Sequence, residues 1–244
     1  MKVARVFTAV RWTSGFAAVL AAIAMLIYPG GTLRDPSTRG YSPAQNFLSD
    51  LGSTVTFGGQ SNSIGALLFA SSLALLVLGL VAALVGFVRL FSDSPVTRNL
   101  VRAAATVGVL VCVCFLGVAL TPENRLLSLH VQATLFGFRL FPVVTLLLTL
   151  ATLRDGRFPW RASVAWAALT CVLAAYVVVL QWGPRLTTDR GLMIQVVAQK
   201  IVALTSILIM VYQSYEAERI LARRPSRGLI DNAGLADQAA VTQT

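Results

Sequence analysis

Apolar residues in this chain come in blocks rather than in alternation. Six stretches, at about 12–28, 64–88, 103–120, 126–153, 162–182 and 192–212, run with almost no charge. Their length matches the roughly 20 residues an α-helix needs to cross a ~30 Å hydrocarbon core, and no period-two pattern competes with them. The punctuation is equally plain. Pro29-Gly30-Gly31 stops the first block, Pro95 and Pro122 mark tight turns, and Trp160 and Trp182 bracket the fifth block where interface anchors belong. The expected fold is all-α, a polytopic transmembrane bundle of six helices filling residues 1–218. Residues 219–244 read as a cytoplasmic disordered tail.

One long polar interruption breaks the pattern, from Tyr41 to Asn62. Inside it, Ser42 is suited to an N-cap, Pro43 to the first helical position, and Gln45 to the far end of a capping box. Ala44, Phe47, Leu48 and Leu51 share one helical face and Asn46, Ser49 and Asp50 the other, with Gly52 where a helix often ends. The spacing predicts a short amphipathic helix over Pro43–Leu51, in the first extracytoplasmic loop.

Composition narrows the class. The chain is 56% hydrophobic and 12% charged, with mean hydropathy +0.74. Soluble domains carry about a quarter charged residues, so a water-facing surface could not be covered here. The net charge of +10 is spread in short pieces between apolar blocks rather than on one face, which argues against a nucleic-acid partner and for membrane lipids. With the N-terminus inside, 13 basic residues fall in inside segments and five in outside ones (Arg34, Arg39, Arg125, Arg185 and Arg190). The positive-inside rule then puts both termini in the cytoplasm and the Tyr41–Asn62 loop outside. The first block reads as a signal anchor retained as a span. Cys112, Cys114 and Cys171 all lie in apolar blocks, with no spacing suited to a disulfide or zinc pair.

Two segments carry a resemblance. Tyr41-Ser42-Pro43, then Phe47-Leu48-Ser49-Asp50-Leu51-Gly52 and Asn62, resemble the first loop of the domain-of-unknown-function 998 (DUF998) family of prokaryotic membrane proteins. Thr121-Pro122-Glu123 with His130 is similar to a second pattern of that family. The resemblance covers roughly Gly15 to Tyr212 and implies a six-helix integral membrane protein of a prokaryotic cell membrane. A more distant likeness to a eukaryotic six-span family of lipid-anchor remodelling and autophagy regulation points toward lipids.

Candidate chemistry is sparse. All ten acidic residues lie outside the apolar blocks, whereas Arg139 and Lys200 lie deep within them. Counted at 1.5 Å per residue from the helix ends, both approach the midplane, and a buried cation faces water, a partner or a pathway. His130 is the sole histidine, which excludes the common zinc sites and the three-histidine hydrolase sites. No cofactor is implied. The leading reading is a protein that binds or moves an amphiphile with an anionic headgroup, Asn46, Asp50, Asn62 and His130 lining the mouth and Arg139 and Lys200 the base. A second is a membrane-embedded lipid-modifying enzyme built on an Asp50–His130 pair. A third is a non-catalytic partner subunit docked through the amphipathic helix. Oligomeric state has no sequence signal.

The orientation is testable in a cysteine-free background. A membrane-impermeant maleimide is expected to label Gln60→Cys in intact cells and to miss Ser226→Cys; the reverse pattern overturns the assignment.

Overall fold

The computed structural model describes residues 3–223. Six helices follow in order: α1 (Val3–Leu26), α2 (Ser63–Leu90), α3 (Pro95–Leu120), α4 (Glu123–Arg154), α5 (Trp160–Trp182) and α6 (Asp189–Ala222). All six are long and apolar enough to cross a membrane. Their outer surface is that of a bilayer protein: Phe16, Leu67, Leu110, Val113 and Leu204 stand exposed in mid-helix, where a soluble bundle would be polar. The chain is a multi-pass membrane protein.

Each helix packs on the next, and α6 closes against α1, so the six form a ring in sequence order. Without a hydrophobic drive between helices in lipid, small residues permit the close approach that dispersion needs. A Cβ on Gly86 of α2 would sit 2.7 Å from the Phe7 ring of α1, and one on Gly137 of α4 3.2 Å from Cys114 and Phe115 of α3. Pro142 lies inside α4 without ending it.

Packing is uneven along the ring axis. Toward the end where α1 begins and α6 finishes, Phe7, Phe87, Phe91, Phe158 and Trp166 form one aromatic cluster: Phe7 and Phe87 pack edge to face at 5.3 Å, and Phe87 meets Trp166 at 5.9 Å. Ion pairs tie the same end, Arg11 to Glu218 at 2.9 Å and Arg157 to both Asp93 and Asp155. At the opposite end the residues between α1 and α2 fold over the ring as a roof. A second small cluster (Ala24, Tyr28, Leu51 and Phe69) anchors it.

Several expectations are corrected in detail. The helix expected over Pro43–Leu51 is a turn at 43–45 followed by one 3-10 turn, Ser49–Gly52. Side chains have taken the backbone groups a helix would pair, as described below. The ends of α3 and α6 lie well outside the apolar blocks, because helical pairing continues through polar residues once a helix is nucleated. Consequently the boundary at 218 falls inside α6, and Glu216 and Glu218 are helical residues. Of the tail expected at 219–244, residues 224–244 lie outside the described residues. Cys171 is exposed on the bundle surface, while Cys112 is buried.

Trp166 is the largest fully buried side chain. Trp166→Ala is expected to destabilise the bundle by about 3–5 kcal/mol, read as a lower melting temperature in mild detergent; an unchanged melt removes the aromatic cluster as the organising core.

Candidate functional site

The roof is built from side chains that replace secondary structure. Asn46 is its hub: it donates through Nδ2 to Gly31 O and to Asp50 Oδ2, both at 2.9 Å, and accepts Ser42 N–H on Oδ1 at 2.9 Å. Asp50 Oδ2 also accepts the Phe47 N–H at 3.0 Å. Asn62, at the start of α2, caps nothing with its side chain and instead donates to Leu51 O and Ser53 O. Tyr41 donates to Asn46 O at 3.0 Å, and its ring packs edge to face on Tyr28. Positive φ at Gly31 lets the chain turn there, with Gly58 directly against it.

Two neighbouring helices hold this structure down. From α6, Lys200 Nζ donates to Asn46 O at 2.5 Å, and Gln199 Oε1 accepts the Leu48 N–H at 2.7 Å. From α4, Asn124 accepts the Thr54 N–H at 2.9 Å.

Beneath the roof lies a cavity of about 210 Å³, walled by α1, α2, α3, α4 and α6 and covered by Leu48 and Ser49. It runs along α6 from Gln199 to Met210 and along α2 from Phe69 to Leu80. Eleven residues at 1.5 Å each make it about 16 Å deep. Its walls are apolar, including Ala17 and Ala21 of α1, Leu76 of α2 and Phe138 of α4. Two polar residues on the walls turn their groups to the protein, Ser72 donating to Ala17 O at 2.8 Å and Thr134 to His130 O at 2.9 Å, while the buried Ser206 hydroxyl has no protein partner. Such a slot excludes water and accepts hydrocarbon.

The six residues singled out by sequence divide into three groups. Asn46, Asp50 and Asn62 form the roof itself, and Lys200 holds it from α6, at the top of the slot rather than its base. His130 is buried, 4% exposed, and its Nδ1 lies 2.6 Å from Thr121 O within the α3–α4 turn. No hydrogen bond joins it to Asp50, so the Asp50–His130 pair is not formed. Arg139 is apart from all of them. It is exposed, and its guanidinium bonds Gln181 Oε1, in the last turn of α5, at 3.3 Å. Arg139 stands near the middle of α4, which is kinked at Leu126, but it faces outward beside α5 and is no part of the slot lining, so it does not form the base expected of it. Gln199 and the slot lining were not singled out as a site. A wall of Ala, Leu and Phe carries the same sequence signal as an ordinary core.

Burial and the negative charge of Glu123 push the Asp50 carboxyl up to about 7; the Asn46 amide, the Phe47 N–H and the Lys200 ammonium act against them. No protein-family model, curated protein or solved structure matches the chain.

The Asp50 shift has a stability consequence. Its folded carboxyl keeps a proton up to about pH 7, the unfolded one only to about 3.8. The folded state therefore binds more protons between those values, and its stabilisation is full at the acid side and lost as pH rises through 7. Melting in detergent is expected to be higher at pH 5.5 than at pH 8, by several °C at about 2–4 °C per kcal/mol. Asp50→Asn should flatten that difference; an equal slope in the variant assigns it elsewhere.

Proposed function

We propose that this protein binds, and by opening its roof moves, a membrane amphiphile with an anionic headgroup, its hydrocarbon chain held in the slot. The slot is the observation that carries this reading. Its depth of about 16 Å matches one leaflet's share of a ~30 Å hydrocarbon core. Its volume of about 210 Å³ is below the ~300–1,000 Å³ of drug-sized pockets, which suits one chain rather than a folded or aromatic ligand. Partly buried Lys200 at the top brings a cationic side chain to the roof's Asn46, and an anionic group is the natural complement.

The 13-to-5 split of basic residues favours the roof on the outer side of the cell membrane, with the chain drawn from the outer leaflet. The Tyr41–Asn62 segment supports membership of the DUF998 family on its Phe47–Gly52 motif. With Asp50 and His130 engaged separately, nothing in the geometry favours the lipid-modifying alternative.

Filling the slot is the direct test. Ala203 lines it on α6, and Ala203→Phe is expected to lower retention of co-purified amphiphile at least about tenfold, roughly 1.4 kcal/mol, with melting retained. Mass spectrometry of extracts from purified protein reads the outcome. Equal retention by the folded variant places the ligand outside the slot.

A further inference from the structure

The Lys200 ammonium presents three donors. In this structure one goes to Asn46 O, and the ring of Tyr41 lies 5.2 Å away on another side. No carboxylate stands within salt-bridge distance: among the described residues the ion pairs are Arg11–Glu218, Arg34–Asp189, Arg157–Asp93, Arg157–Asp155 and Arg219–Glu216. A cation buried on a transmembrane helix is costly without an anion, and here a neutral backbone carbonyl stands in that place.

The position of that carbonyl matters. Asn46 O belongs to the same short stretch whose Leu48 and Ser49 cover the slot, and this stretch is fastened to α6 by two bonds, Lys200 to Asn46 O and Leu48 N–H to Gln199. Gln199 itself lines the slot. A chain entering from the roof side must move Leu48 and Ser49, and moving them breaks both bonds to α6 together with the Ser49 hydroxyl's bond to Glu123 of α4. An anionic oxygen makes a charge-assisted bond to the ammonium roughly twice as strong as a neutral one, so it displaces the carbonyl rather than the reverse.

We infer that Lys200 is the headgroup anchor, occupied in the closed protein by the roof's own Asn46 carbonyl, so that an anionic headgroup oxygen, carboxylate or phosphate, unlatches the roof as it binds. The inference rests on the chain-binding reading and adds to it which headgroups are admitted and how. A neutral amphiphile of equal chain length fits the slot but has no means of releasing the latch. Because the headgroup takes the place of an internal acceptor, selectivity comes from charge, and carboxylate and phosphate are distinguished only by the room beside Tyr41.

Hydrogen–deuterium exchange on the wild-type protein in nanodiscs at pH 8 tests this, with laurate, dodecyl phosphate and dodecanol as probes. Occupancy of the slot is read separately by displacement of a fluorescent fatty acid. The expected result is that laurate or dodecyl phosphate raises exchange of the Phe47 and Leu48 amides about tenfold while dodecanol leaves it unchanged, and whichever anion acts names the source. Lys200→Gln should exchange rapidly at the same amides with or without probe; the wild-type comparison decides the matter should that variant not fold. Displacement by an anion with the roof amides unchanged, or equal opening by dodecanol, overturns the latch and leaves chain binding standing. Displacement by none of the three removes the chain-binding reading and the latch with it.

Discussion

A backbone that leaves the helix near a bilayer must find a partner for every N–H and C=O it exposes, and this requirement governs the roof. Between Tyr41 and Asn62 the chain has little regular structure of its own. The missing helical bonds are made good by Asn46, Asp50 and Asn62, whose amides and carboxylate take up the backbone of Gly31, Ser42, Phe47, Leu51 and Ser53. Irregular backbone at this depth is tolerated where it is buried in protein. If Asn46 could not serve Gly31, Ser42 and Asp50 together, the roof would have no fixed shape and the slot below it no lid.

The uneven packing follows from the same economy of partners. Away from the roof, aromatic side chains and ion pairs fill the ring and leave little room. Under the roof, Ala17 and Ala21 on α1 and Ala203 on α6 hold back from the axis. Their shortness leaves a space of one chain's width. Packed at one end and hydrogen-bonded at the other, the bundle is least tightly filled beside the stretch 46–49, which hydrogen bonds rather than packed aromatic rings hold, two of them to α6. Motions of function are drawn from such low-stability segments.

Charge is placed with matching restraint. Asp50 is 1% exposed and Lys200 half-buried, yet they do not form a salt bridge; Asn46 stands between them, its side-chain amide donating to Asp50 and its backbone carbonyl accepting from Lys200. A direct pair would neutralise both groups and be hard to open, since breaking a buried pair by removing one partner costs about 3–5 kcal/mol. An intervening asparagine keeps the two groups linked but separable. Asp50 and Lys200 thereby meet through one residue, the first at its side chain and the second at its backbone.

What the sequence by itself determined is the element list. Six apolar blocks, the stops at Pro29-Gly30-Gly31 and Pro122, and the polar Tyr41–Asn62 segment were all legible, because burial in lipid writes a long, local hydrophobic signal into the chain. The candidate residues were legible as types: Asn46, Asp50, Asn62 and Lys200 stood out as polar groups in or against an apolar setting, and all four meet at the roof. Only the tertiary structure decided how they meet. Whether Asn46 caps a helix or replaces one depends on Gly31, Gln199 and Lys200, fifteen to more than a hundred residues away, and no local propensity carries that information. The same holds for Arg139, whose outward aim toward Gln181 of α5 depends on how α4 packs in the ring and not on its place in its own block. The slot was invisible for a simpler reason: a cavity is the absence of side-chain volume where five helices fail to fill a ring, and an alanine facing a void reads the same in sequence as an alanine facing a neighbour.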